Sequence, residues 1–166
     1  MLARAHVCAA LALLLCACSK GQGQPSGPDE GKICTQIGCI NGLQVQIAKA
    51  TPWQPGAYTF VLDLDDTRVT CTGALPLRPC DAAPTLTCDI PNRVLIGESG
   101  CALPPDQHGF SDIHVPAAVE RFAVSIIHDG KPLGGIDIKP TYTTSQPNGP
   151  GCDPICHSAA ASVELP

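Results

Sequence analysis

The chain has 166 residues, with ten Lys and Arg against fifteen Asp and Glu, and its basic residues form no cluster. Nucleic acid is therefore not an expected partner, because neutralising phosphates requires concentrated positive charge. The length suits one ordinary domain with shorter flanking segments, and the eleven cysteines favour an exported, disulfide-bonded chain.

A short apolar segment stands at the start of the chain. Arg4 gives a weakly basic beginning, and residues 7–15 are almost wholly apolar, which is the layout of a secretory signal. A membrane-spanning helix needs about 20 apolar residues, and this run ends before the polar residues that begin at Ser19. We expect residues 1–17 to form a removable signal peptide.

The residues Leu15-Cys16-Ala17-Cys18 resemble the lipobox of bacterial lipoproteins, in which an aliphatic and a small residue precede a cysteine that is acylated before cleavage. The resemblance implies that Cys18 becomes a lipid-carrying N-terminus. Cys16 is a poor rival, because Leu15 directly before it is too bulky for that cleavage pocket. Two or three palmitate-like acyl chains hold a protein on a membrane almost permanently, since burial contributes about 0.8 kcal/mol per methylene. The alternative is an ordinary signal peptide cut near Ala17, which gives a soluble secreted protein.

The fourteen residues after Cys18 (SKGQGQPSGPDEGK, 19–32) contain no aliphatic or aromatic side chain. They cannot bury a core, so residues 18–32 are predicted to form the lipidated cysteine and a flexible tether spanning about 20 Å root-mean-square. In the lipoprotein class, aspartate directly after the cysteine favours retention at the inner membrane. Because Ser19 stands there instead, the resemblance implies attachment to the outer membrane of the cell envelope.

Eight cysteines follow the tether, and an even number in an exported chain predicts four disulfides. They could pair in 105 ways, among which the sequence does not choose. Structural zinc is the alternative, but no CxxC pair is present, and no metal or other cofactor is predicted. These disulfide candidates are Cys34, Cys39, Cys71, Cys80, Cys88, Cys101, Cys152 and Cys156.

Residues 33–166 are predicted to form a single all-β domain, an antiparallel β-sandwich for which an immunoglobulin-like arrangement is one form. Short segments alternate apolar and polar residues and are separated by Pro, Gly and Asp, whereas no helical period persists. The predicted strands cover residues 43–49, 57–64, 67–74, 85–90, 92–96, 121–128, 135–140 and 161–165.

Two hairpins are predicted in detail. A two-residue loop at 65–66 pairs Leu62 with Val69 and Phe60 with Cys71 on one face. On the other face it places Asp63 opposite Arg68. For the second hairpin, between residues 122 and 138, a three-residue loop over 129–131 is preferred. That loop opposes Phe122 to Ile138 and Val124 to Ile136, whereas a two-residue loop would oppose Phe122 to Asp137.

The segment Phe60-Val61-Leu62-Asp63-Leu64-Asp65-Asp66-Thr67 resembles the first motif of haloacid-dehalogenase-type phosphatases. The resemblance implies Asp63 as nucleophile, Asp65 as acid/base and a magnesium ion. That family needs a parallel sheet with crossover helices, whereas the residues after Thr67 are typical of a returning strand. We therefore expect a hairpin tip with outward carboxylates, and a small exported phosphatase using Asp63 and Asp65 remains the alternative function.

Other polar residues are weaker candidates. Asp112 and His114 could share a strand face and hold a metal, and Asp63, Asp65, Asp66 and Asp129 could gather at one end of a sandwich to bind calcium, but no EF-hand spacing is present. We expect these side chains to be solvated.

The predicted function is that of a membrane-tethered, non-enzymatic module of the cell envelope, which binds a protein or a glycan or has a structural role. The loops around Trp53 and Phe110 are the first binding candidates, because apolar side chains among turn residues can serve as exposed anchors. The alternative, which is favoured, is that both aromatic side chains lie buried under the loops.

Overall fold

The computed structural model describes residues 33–166, so the predicted signal peptide, Cys18 and the tether lie outside the described residues. The described part contains one single turn of 3-10 helix, at Pro105–Gln107, and no α-helix. Its strands in chain order are β1 (Gly42–Lys49), β2 (Gly56–Leu64), β3 (Thr67–Leu75), β4 (Thr87–Cys88), β5 (Leu95–Ser99), β6 (Gly109–Val115), β7 (Phe122–His128), β8 (Lys131–Ile138), β9 (Thr143–Ser145) and β10 (Cys156–Leu165). Residues Cys34–Pro166 form one compact unit.

The strands form two five-stranded sheets. The first sheet has the order β5-β6-β1-β10-β9, and the second has the order β4-β3-β2-β7-β8. All neighbouring strands are antiparallel except β1 and β10, which run parallel with Gly42 opposite Ser158 and Lys49 opposite Leu165. The predicted all-β, sandwich-like class is confirmed. The strand order differs from the ABED and CFG sheets of an immunoglobulin domain.

The hairpin of β2 and β3 has the predicted register. Leu62 lies opposite Val69, Phe60 opposite Cys71 and Asp63 opposite Arg68. Asp65 adopts a left-handed φ of 53°, which aspartate tolerates better than most residues. The alternation of apolar and polar side chains therefore determined this register without a glycine in the turn.

The hairpin of β7 and β8 has the predicted pairing but not the predicted loop. Phe122 lies opposite Ile138 and Val124 opposite Ile136, yet His128 pairs with Lys131 across a two-residue turn. Between the pairs Ile126–Gly134 and Ile127–Pro132, β8 contains one extra residue. This bulge shifts the pairing so that the apolar residues of the two strands lie opposite one another. The three-residue loop was therefore wrong, because a bulge within the strand supplies the shift that the loop was expected to supply.

The core is built from the inward faces of both sheets. From Tyr58 to Leu64, the β2 strand alternates buried and half-buried residues, as a half-covered strand should. The largest fully buried side chains come from β1, β2, β3, β6 and β7: Tyr58, Phe60, Phe110, Phe122, Leu43, Leu62, Leu64, Ile113, Ile126, Val45, Val69 and Val115.

Several predicted strand bounds were wrong for local reasons. The strand predicted at 85–90 is reduced to Thr87–Cys88, and just after it the Asp89 carboxylate takes the place of a backbone acceptor for the Thr70 N–H, at 2.9 Å. The strand predicted at 92–96 begins at Leu95, because Asn92 lies in a turn with a φ of 61°.

Two strands were not predicted, and two begin several residues earlier than predicted; one of these is β8, which covers Lys131–Ile138 and not 135–140. The β6 strand was missed because a register shift at Gly97/Glu98 leaves Ser111 unpaired, so that Phe110 and Ile113, three residues apart, both face the core. The short, fully exposed β9 was also missed. The β10 strand begins at Cys156 rather than at residue 161, through a small-residue stretch with little β-propensity.

All eight described cysteines are paired, which confirms the predicted four disulfides. Two bridges fasten the segment before β1 to the segment that leads into β10. The other two join β3 to β4 and the loop after β3 to the loop after β5. The pairs are Cys34–Cys152, Cys39–Cys156, Cys71–Cys88 and Cys80–Cys101.

Candidate binding surfaces

Trp53 and Phe110, the predicted anchors, belong to an aromatic cluster with Tyr58. Phe110 is only 2 % exposed, which agrees with the favoured alternative that it is buried and excludes it as an exposed anchor. The half-buried Trp53 packs edge-on against Phe110, with ring centroids 5.0 Å apart, and against Tyr58 at 5.4 Å. The Tyr58 hydroxyl donates to the Gln54 carbonyl at 2.8 Å and so holds the loop that carries Trp53. The cluster therefore stabilises the loop against the core.

Asp63 and Asp65, the residues of the phosphatase-like motif, have structural partners. The Arg68 guanidinium donates to both Asp63 oxygens, at 2.7 and 3.0 Å, and lowers the pKa of that carboxyl. Asp65 Oδ1 accepts the backbone N–H groups of Glu120 and Arg121, both at 2.8 Å. This tight antiparallel hairpin lacks the parallel strand and crossover of the phosphatase arrangement, so the resemblance of the motif does not extend to the fold around it.

The residues considered for metal binding do not gather. Asp65 and Asp129 lie beyond opposite ends of β2, which separates them by about 25–30 Å, so they cannot share a calcium ion. Asp112 accepts from the Ser111 hydroxyl at 2.7 Å, and the His114 ring is bonded to the Asn41 carbonyl at 2.9 Å. Within residues 33–166, no group of three or more His, Cys, Asp or Glu side chains could hold a metal ion.

A groove of about 890 Å³ lies beside the β2–β3 turn. We call it the hairpin-end groove; it is lined by Asp65, Asp66, Glu120, Lys139 and Tyr142, among others. The Tyr142 hydroxyl accepts the Val119 N–H at 2.9 Å. The sequence predicted a role only for the two aspartates of this groove. The other lining residues are distant from them in the chain, and only the pairing of the strands brings them together.

A second groove, of about 670 Å³, runs over the outward side of β7 and β8 in the second sheet. We call it the outer-face groove. Its floor includes Ala123, Ser125 and Gly135. Ser125 pairs with Gly135 across the two strands, and Ala123 lies two residues before Ser125 on β7. Arg121 and Asp137 form its rim, with Arg121 Nε 3.1 Å from Asp137 Oδ1. The Arg121 hydrogen bond lowers the pKa of the Asp137 carboxyl.

The outer-face groove is open at Ala123, Ser125 and Gly135 because these residues have small side chains or none, whereas Ile127 and Pro132 line another part of it. Strand β8, which forms one side of the groove, is the last strand of the second sheet. Among the described strands, its outer edge therefore has no ladder partner. A ligand could reach the floor and the polar groups at the rim of this groove. The sequence signal was the pair of small residues at alternate positions of β7, Ala123 and Ser125, together with the two adjacent glycines of β8.

The fold defines a class: a small, all-β, disulfide-bonded domain with the two-sheet arrangement of a sandwich. Its four disulfides indicate an oxidising extracellular or cell-envelope environment. Residues 33–166 include no helix with the length and apolar character needed to span a bilayer. No protein-family model matches the chain, and neither a curated protein nor a solved structure matches it.

Proposed function

We propose that this chain is a lipid-anchored protein of the bacterial cell envelope and that its domain is a non-enzymatic module that binds a protein or a glycan. Cys18 is the anchor, residues 1–17 are the export signal, and the outer membrane is the membrane that carries it. The domain presents its ligand site to the space around the envelope.

The observation that carries the proposal is the complete pairing of the cysteines downstream of the lipobox. The eight cysteines of residues 33–166 form four bridges among themselves, so the fold requires no pairing with Cys18. A cysteine that follows Leu15-Cys16-Ala17 and is not needed by the fold suits acylation. Disulfide formation and lipoprotein maturation both take place after export, so the two features agree.

The outer-face groove is the ligand site in this proposal. Ala123, Ser125 and Gly135 leave its floor close to the backbone, so a sugar ring or an extended peptide could approach the sheet. Arg121 and Asp137 at the rim offer both a donor and an acceptor. The hairpin-end groove is larger, but its Asp65 is already committed to two backbone amides.

Intact-mass spectrometry of the mature protein tests the anchor. We expect an N-terminal Cys18 that carries two or three acyl chains and a mass showing all eight downstream cysteines oxidised. A chain cut near Ala17 with an unmodified N-terminus would identify the soluble secreted alternative and reject the anchor.

Affinity capture from the native envelope tests the groove, with the wild-type protein compared with a Ser125→Arg variant. The long, charged side chain would cover the floor, and we expect at least a tenfold loss of the captured ligand. Thr72→Arg on β3 is the matched control, because Thr72 is also exposed on the outer face of the second sheet. Equal capture by both variants would exclude the groove as the ligand site.

A further inference from the structure

Exposed isoleucines are concentrated beside the two disulfides that precede β1 and β10. Ile37, Ile40 and Ile155 are 54, 64 and 48 % exposed, respectively, and we call these three residues the isoleucine patch. Ile40 follows Cys39 and Ile155 precedes Cys156, whose Cα atoms are 5.4 Å apart, so the two isoleucines lie on neighbouring segments. Single exposed apolar residues are ordinary on a protein surface, but three on one cross-linked region are not.

The patch is held in place without using its apolar side chains. Asn148, only 7 % exposed, accepts the Ile37 N–H at 2.7 Å and donates to the Ile37 carbonyl at 3.0 Å. It also donates to the Asp153 carbonyl at 2.6 Å, so one side chain joins the two segments. Because the Ile37 peptide groups are already paired, its side chain could enter an apolar layer without leaving backbone groups unsatisfied.

Charge and chain position point to a bilayer as the occupant. Residues 33–48, which include Ile37 and Ile40, contain no charged side chain, whereas the rest of the domain is acidic overall and the exposed Asp153 lies two residues before Ile155. Cys34 follows the proposed anchor Cys18 by sixteen residues, so even a fully extended linker would place it within about 55 Å of the lipid. If the tether is flexible, as the sequence predicts, its root-mean-square reach would be about 20 Å. The uncharged, apolar part of the domain is thus the part closest along the chain to the membrane.

We propose that the isoleucine patch contacts the membrane that carries the anchor, with Ile37, Ile40 and Ile155 entering the boundary between headgroups and acyl chains. The inference rests on the proposed lipid anchor at Cys18 and deepens it. Tethering makes the contact effectively intramolecular, so a small apolar patch suffices where it would not recruit a free protein. The two disulfides and Asn148 hold the patch ready, which reduces the entropic cost of contact.

Photolabelling from within the bilayer tests this contact. The acylated protein is reconstituted in phosphatidylcholine vesicles that contain a phosphatidylcholine with a diazirine in its acyl chain. Zwitterionic lipid avoids repelling the acidic domain. After illumination and digestion, we expect lipid adducts on the peptides that contain Ile37, Ile40 and Ile155. The triple variant Ile37→Ser/Ile40→Ser/Ile155→Ser should lose at least fivefold of this labelling.

The matched control replaces the other exposed apolar residues of the folded unit, Ile90, Leu95 and Leu103, with serine. This control should keep the patch labelling within twofold of the wild type. Thermal unfolding and a count of free thiols verify that both triple variants are folded, and the single variant Ile37→Ser is used if the triple variant is not.

A second arm separates the patch from the anchor. Residues 21–26 are replaced by six histidines in an unacylated chain, which nickel-chelating lipid holds on the same vesicles. Patch labelling in this arm supports the contact even if intact mass shows no acyl chain on Cys18, a result that would reject only the anchor. Labelling spread evenly over the domain would overturn the contact, as would equal loss in both triple variants. Cross-links between copies of the chain without lipid adducts would also overturn it and identify a self-association surface.

Discussion

His108 shows how one buried polar residue holds two loops. Only 7 % of it is exposed, and Nδ1 accepts the Leu77 N–H at 2.9 Å while Nε2 lies 2.9 Å from the Leu103 carbonyl. Nδ1 therefore lacks a proton and Nε2 carries one. The nearby Cys80–Cys101 bridge joins the same two loops covalently. No sequence motif distinguishes His108 from the other histidines of the chain.

Replacing His108 by alanine should destabilise the domain by about 2–4 kcal/mol, because the buried Leu77 N–H loses its acceptor and a cavity remains. Denaturant unfolding measures the change. His108→Asn is the matched variant, since its Oδ1 can take the position of Nδ1, and we expect it to recover part of the loss. Equal stability of the alanine variant and the wild type would contradict the assigned role.

Asp63 and Asp137 are the described carboxyls whose pKa is lowered, in each case chiefly by a hydrogen bond from an arginine. A carboxyl with a lowered folded-state pKa contributes stability above its unfolded-state pKa and loses it as the pH falls through the folded-state pKa. The contribution should be small, because Arg68 and Arg121 are largely exposed and solvent screens both pairs.

We therefore expect the melting temperature of the wild type to fall more steeply below about pH 4 than that of the Asp63→Asn/Asp137→Asn variant. At pH 7 the variant should be slightly less stable, and at pH 2.5 the two proteins should converge. Thermal unfolding across this range checks the direction. A variant that loses stability more steeply on acidification would refute the assignment.

At the scale of the element, the start of β1 depends on a close backbone approach. Gly42 has a φ of 91°, and a Cβ built there would lie 2.0 Å from the Val115 carbonyl oxygen of β6. That oxygen belongs to a paired strand and cannot move away easily. Glycine is therefore required where the disulfide-bonded N-terminal segment turns into the first sheet.

Gly42→Ala should cost about 3 kcal/mol of unfolding free energy, since both steric overlap and left-handed backbone strain oppose it. Gly130→Ala is the control: its φ is 76°, but a Cβ there would meet nothing within 4 Å. It should cost only about 1–2 kcal/mol from backbone strain. Chemical denaturation compares the two variants, and equal costs would show that the contact with Val115 is relieved without penalty.

At the scale of the whole molecule, two disulfides close nearly the same long loop. Cys34–Cys152 and Cys39–Cys156 have sequence separations of 118 and 117. Either bridge alone restricts most of the unfolded chain, and the second then closes only a short additional loop. In the chain-entropy model, whichever bridge forms first adds about 5 kcal/mol to the free energy of unfolding, and the other then adds about 3 kcal/mol.

Replacing both cysteines of either bridge with alanine should therefore cost about 3 kcal/mol, whereas removing both bridges should cost about 7–8 kcal/mol. The loss is more than the sum of the two single losses. Unfolding of the four proteins in denaturant forms the double-mutant cycle. Strictly additive losses would indicate that the two bridges act independently.

The sequence alone determined the features that depend on local chemistry. The alternation in β2 and β3 predicted both the strands and their register, because a one-residue slip would move every apolar side chain to the wrong face. Cysteine parity predicted four disulfides, and the residues around Cys18 predicted an anchor that stays a prediction.

Tertiary structure alone decided what depends on residues far apart in the chain. The parallel pairing of β1 with β10, the four disulfide partners and the assembly of the two grooves leave no local signal. Strand prediction relies on the alternation of apolar and polar residues, and bulges interrupt that alternation, as in β6. The bulge in β6 also turns Phe110 inward, so that it is buried. Local periodicity selects the face that a strand buries, but only the packing of the whole chain selects the neighbour against which it is buried.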